Sequence, residues 1–84
     1  MSWEDSELQK VWEKGKPIHG KDSGTWRKDC EGRTMKRDKH GDRDSQYGWE
    51  VDHKRPESRG GGDNLGNLQP LNWKSNVEKS DKIR

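Results

Sequence analysis

The 84-residue chain has very little from which to build a conventional core. It contains no Ala and no Phe, and Leu, Ile and Val together supply only 9 of its 84 residues. That share lies below the roughly 20% under which disorder becomes the compositional default. Long apolar runs are missing too, since no more than two apolar residues are ever adjacent, as at Val11-Trp12. This excludes a membrane-spanning helix and the apolar segment of a secretory signal, and the expectation is a soluble, cytoplasmic protein with no membrane partner. Cys30 is the single cysteine, which removes any intramolecular disulfide and any Cys-x-x-Cys zinc site. A metal would have to be held by His, Asp, Glu or Asn. Charge of one sign is lacking as well: 18 basic residues face 16 acidic ones for a net +2, and no polybasic tail announces nucleic acid.

What the chain does have is tryptophan. Five Trp stand at positions 3, 12, 26, 49 and 73, far too many for a solvated tail and spaced as anchors in separate elements would be. Each buries about 150–250 Å² when packed. Near-zero net charge also argues against charge-driven disorder. The length fits one small domain, and at this size a bound metal is a usual source of extra stability.

The elements can be read along the chain. Ser2 reads as an N-cap before a short amphipathic helix carrying Leu8, Val11 and Trp12, stopped by Gly15 and by Lys16-Pro17. A hairpin is expected across residues 25–37, turning at Glu31-Gly32, with Cys30 as a half-buried strand residue. Asp38 to Gln46 reads as a charged loop, and His19 and His40 as solvated. Tyr47 to Lys54 alternates large apolar and polar residues as a half-buried strand does. Gly60-Gly61-Gly62 then marks a loop, Leu65 to Leu71 a bend and a short edge strand, and Asn72 caps a last helix that begins at Trp73. Its inward side should hold Trp73 and Val77, with Asn76 and Ser80 near that face and Lys74 and Lys79 toward solvent. The second half therefore reads strand, Gly loop, short strand, helix.

Phosphodiester hydrolysis needs a metal ion to offset phosphate charge and a base near neutral pKa to activate water. Asp52 and His53 sit together at a strand end, and a helix bearing Asn76 packed on that strand could set an amide oxygen beside Asp52. Hard oxygen ligands of this kind suit magnesium or manganese, and His is the usual base.

Trp49-Glu50-Val51-Asp52-His53-Lys54-Arg55-Pro56, then Gly60-Gly61-Gly62-Asp63-Asn64-Leu65-Gly66-Asn67-Leu68-Gln69-Pro70-Leu71, then Asn76-Val77-Glu78-Lys79 resembles the HNH endonuclease motif in its ββα-metal form, as in small stand-alone bacterial or phage HNH proteins. The resemblance implies an α+β fold over residues 1–84 as one domain, with a ββα-metal motif over 47–82 and residues 1–46 buttressing it as an N-terminal helix and a hairpin. It implies catalytic His53 as the general base, and Asn67 as the residue that holds the loop and keeps the histidine ring oriented. It further implies Asp52 and Asn76 as ligands of one divalent ion, magnesium or manganese, with zinc or nickel as alternatives. Lys54, Arg55, Arg59, Lys74 and Lys79 are the candidate contacts to DNA phosphate. The chain departs from many relatives in lacking paired Cys-x-x-Cys motifs, and His40 stands where an aromatic is expected before glycine.

The activity so implied is metal-dependent hydrolysis of DNA in the cytoplasm of a bacterial or phage-infected cell, leaving 5′-phosphate and 3′-hydroxyl ends. One such site engages one strand, so nicking with low sequence specificity is expected, and the oligomeric state is left open. The rival readings are a non-catalytic nucleic-acid-binding module on the same scaffold and a largely disordered interaction segment.

Overall fold

The computed structural model describes residues 3–82, with side chains described through residue 80. Helix α1 spans Asp5–Trp12 and is capped by Glu4, whose N–H donates to the Glu7 carboxylate at 3.2 Å. The cap is therefore Glu4 and not Ser2, which lies outside the described residues. Leu8, Val11 and Trp12 face inward as their spacing requires.

Three short strands follow: β1 (Lys16–Pro17), β2 (Trp26–Lys28) and β3 (Thr34–Lys36) form an antiparallel sheet in that order. β1 is an addition to the expected pattern, because Lys16-Pro17 stops the helix and then pairs with Arg27 and Lys28. Proline is tolerated there because β1 is an edge. The hairpin β2–β3 lies where expected, with Trp26 opposite Lys36. Its turn is made by Asp29, whose Oδ1 accepts the N–H groups of Glu31 and Arg33 at 3.0 and 2.9 Å. Cys30 is consequently exposed on the turn and not half-buried in a strand, and burial of its surroundings, with Asp29 and Glu31 nearby, pushes its thiol pKa up.

The second sheet pairs β4 (Trp49–His53) with β5 (Leu68–Asn72), antiparallel, from Trp49 opposite Asn72 to His53 opposite Leu68. Helix α2 (Trp73–Lys82) leaves β5 directly. Asn72 is buried and caps it, Oδ1 accepting the Lys74 N–H at 2.9 Å while Nδ2 donates to the carbonyls of Thr34 and Gln46. The helix is rolled differently from the expected face: Ser75 is buried and Val77 is 39% exposed. Polar contacts set the roll, since Ser75 Oγ accepts from Arg33 while Asn76 and Lys79 reach β4.

The core joins α1, β3 and the second sheet through Leu8, Val11, Trp12, Met35, Trp49 and Leu68. Trp12 and Trp49 are fully buried with ring centroids 5.2 Å apart. The tryptophans thus supply much of what the missing aliphatics do not. His40, expected in solvent, is half-buried with its ring edge-on to Trp49 at 4.9 Å. Burial, aided by Arg37, lowers its pKa. The fold is α+β, and no helix of the described residues is long and apolar enough to cross a membrane.

Candidate active site

Neighbours on a strand point to opposite sides, and at the end of β4 this separates Asp52 from His53. Asp52 is 8% exposed and faces β5 and α2. Gln69 stands opposite it in the ladder and donates Nε2–H to Oδ2 at 2.8 Å. Lys79, two turns into α2, donates Nζ–H to the same oxygen at 2.7 Å and to the His53 carbonyl at 2.8 Å. A carboxylate so buried needs a compensating cation, and the Lys79 ammonium is that cation. Lys79 is therefore folded into the site, not turned toward solvent. Both bonds fall on Oδ2, so Oδ1 of Asp52 has no protein donor among the described residues.

Asn76 is brought to the same place. Its Nδ2 donates to Glu50 Oε1 at 2.8 Å. Because a carboxylate can only accept, this bond fixes the amide so that Oδ1 is the atom left for another partner. Glu50 is itself gripped by Arg43 through two bonds of 2.7 and 2.9 Å, which, with the Asn76 bond, hold its carboxyl below the usual range against the opposing effect of burial. Asp52, His53, Glu57, Asn76 and Lys79 line one cavity of about 400 Å³.

That donor set fits a hard divalent ion. Asp52 Oδ1 and Asn76 Oδ1 are oxygen donors, and a cation, the Lys79 ammonium, already rests on the same carboxylate.

His53 reaches the same cavity and turns its Nε2 toward the loop over residues 57–63. Its Nε2 lies 2.7 Å from Asp63 Oδ1 and 3.7 Å from Glu57 Oε1. Single donor atoms of these three residues all fall within 4.8 Å of one another. Trp3 flanks the ring at 6.2 Å between centroids.

The loop itself is tightly specified. Gly60 has φ +83°, which L side chains rarely adopt, and a Cβ on Gly61 would sit 1.7 Å from the Arg55 carbonyl oxygen. Three consecutive glycines thus mark a required shape and not an absence of preference. Asn67 closes the loop: Oδ1 accepts the Arg55 N–H at 2.8 Å, and Nδ2 donates to the carbonyls of Arg55 and Gly62 at 3.1 and 2.8 Å. None of these bonds reaches the His53 ring, whose partner is Asp63.

Of the expected phosphate contacts, only Lys79 lines this cavity. Arg55 spends Nε on the Arg59 carbonyl at 2.8 Å, and Arg59 is exposed beside it. Lys74 is exposed over the Trp73 ring, and Lys54 lines a different concavity with Lys14, Lys16 and Lys28.

Sequence reasoning did not find Glu50, Arg43, Gln69 or Asp63. Gln69 and Glu50 acquire their roles from strand register and helix docking, which no short motif displays. Asp63 had one available signal, a carboxylate inside the motif's own glycine loop.

A family model for HNH endonucleases matches residues 36–82. The chain belongs to the HNH endonuclease family, a family of metal-using nucleases that act on DNA. No curated protein and no solved structure matches it.

Proposed function

We propose that this chain is a metal-dependent endonuclease that hydrolyses DNA phosphodiester bonds one strand at a time, with low sequence specificity. The observation that carries the reading is that a histidine and two oxygen-donor side chains, from β4 and α2, line one cavity of about 400 Å³. Asp52 and Asn76 are the residues to hold one divalent ion, magnesium or manganese, which when bound offsets the charge of the scissile phosphate and of the leaving oxygen.

The protein's own groups account for the rest. His53 takes a proton from the attacking water, a step for which imidazole is suited at neutral pH. Gln69 holds one oxygen of the Asp52 carboxylate, and the Arg43–Glu50 pair holds the Asn76 amide nitrogen, which leaves its oxygen for the ion. Lys79 keeps a positive charge in the cavity whether it rests on Asp52 or meets phosphate. Asn67 holds the loop beside the base, and the remaining phosphate contacts are Lys54, Arg55, Arg59 and Lys74. With one such site per chain, a monomer produces nicks.

The test is relaxation of supercoiled plasmid with magnesium or manganese and with chelator. Nicking is expected with either ion and is abolished by chelation, and His53→Ala should lower the rate by about 10²–10⁴-fold, the usual worth of a positioned base. Nicking that survives that substitution overturns the mechanism. DNA binding with no cleavage under any divalent ion overturns the activity.

A further inference from the structure

We infer that Asp63 is the positioning residue of His53, selecting the ring tautomer that leaves Nδ1 as the basic nitrogen, and that Asn67 acts on the base through Asp63. The inference rests on the reading of His53 as the general base.

A neutral imidazole carries its proton on one nitrogen and offers a lone pair on the other, and the hydrogen bond made by one nitrogen decides which. His53 Nε2 is 2.7 Å from Asp63 Oδ1, and a carboxylate can only accept, so the proton of the neutral ring lies on Nε2. The second nearby carboxylate, Glu57, stands at 3.7 Å, beyond hydrogen-bond reach. The two acids also occupy different places. Glu57 lines the large cavity with Asp52 and Asn76, whereas Asp63 lines a separate one of about 170 Å³ against α1. Asp63 thus takes Nε2, and Nδ1 is the ring nitrogen left with a lone pair.

The position of Asp63 is fixed through its two chain neighbours. Asn67 Nδ2 donates to the carbonyl of Gly62 at 2.8 Å, and the Asn67 N–H donates to the carbonyl of Asn64 at 2.8 Å. One asparagine therefore clamps the residue on each side of Asp63 without touching the imidazole. This supplies the physical route by which a residue expected to orient the base does so at a distance. The Gly61 backbone, which allows no side chain against the Arg55 carbonyl, closes the same loop from the other end.

The experiment pairs a spectroscopic readout with kinetics. Long-range ¹H–¹⁵N correlation spectra of the wild-type chain at about pH 8, above the usual histidine range, should report the Nε2–H tautomer for His53. Asp63→Ala should lose that preference and lower the single-turnover nicking rate by about 10- to 100-fold, the scale on which outer partners of a functional histidine act, with DNA affinity little changed. Asp63→Asn, whose amide oxygen still accepts from Nε2–H, should keep the tautomer and recover most of the rate. Should the Ala variant fold poorly, the Asn variant and the wild-type spectrum carry the test. An Nδ1–H tautomer in the wild type overturns the inference, as does an Asp63→Ala variant with unchanged tautomer and rate, or an Asp63→Asn variant that keeps the tautomer yet is as slow as Ala. If the wild-type chain does not nick DNA at all, the catalytic reading fails by itself, and the tautomer spectra still decide what Asp63 does to the ring.

Discussion

At the scale of single residues, the contact with the largest consequence is Lys79 on Asp52. The carboxylate is buried and its one charged partner among the described residues is an ammonium 2.7 Å away, so a divalent ion held there, as proposed, would compete with a group the protein itself supplies. Replacing Lys79 by Met should cost about 1–3 kcal/mol of stability without metal, the scale for a buried acceptor that loses its charged donor and keeps only Gln69. The same replacement should enlarge the rise in melting temperature produced by magnesium and lower the magnesium concentration at half effect. Melting curves across a magnesium titration check both, and a variant whose response matches the wild type shows that Lys79 and the ion do not share Asp52. The residues singled out from the chain, Asp52, His53, Asn67 and Asn76, are those that the resemblance to the HNH motif implies, at intervals that fit a strand, loop and helix. Glu50 and Gln69 could not be read that way. Glu50 matters because α2 brings Asn76 to it, and Gln69 because the ladder sets it opposite Asp52.

At the scale of elements, periodicity identified α1, the 25–37 hairpin, β4 and α2, because each presents apolar residues or turn chemistry at its own repeat. It failed on the roll of α2. Val77 was the apolar candidate for the inward side, but Ser75, Asn76 and Lys79 found polar partners on β4 and the hairpin, and with so few aliphatic side chains those partners outweigh one valine. It failed also on His40, a polar residue in a charged stretch that packs on Trp49 because the core has no Phe to put there. That packing makes a pH prediction. His40 has a folded-state pKa below its ordinary 6.5, through burial and then Arg37, with Glu50 pulling the other way. The unfolded chain therefore binds more protons in the window below 6.5, so this contribution to stability is complete above that pH and is lost as pH falls through the folded value. The wild-type melting temperature should decline from about pH 7 toward pH 5, and His40→Phe should flatten the decline while keeping the ring contact. Parallel slopes for the two proteins would remove His40 as its cause.

At the scale of the whole molecule, a net charge of +2 gives little long-range steering, so affinity for DNA has to come from local clusters. One is present: Lys14, Lys16, Lys28 and Lys54 line a concavity that begins one residue beyond His53, and burial together with Lys54 lowers the Lys14 pKa. Converting Lys16, Lys28 and Lys54 to Glu should weaken DNA binding about equally across sequences and flatten the dependence of log K on log salt by about 2–3, at roughly 0.9 per lost phosphate contact. Fluorescence anisotropy over a salt series measures this, and an unchanged slope would place the DNA elsewhere. The longest dimension, 38 Å, is about one turn of duplex.

Asp29 has a consequence for how this molecule comes apart. One of its oxygens closes the hairpin turn, and the other accepts the Asn72 N–H at 2.9 Å, one residue before the helix that carries Asn76. A single side chain is thus a shared keystone of the hairpin and the helix start, so opening the hairpin turn also removes a bond that holds the start of the helix. The segment with no motif residues and the segment with all of them are thereby coupled, and are expected to melt together.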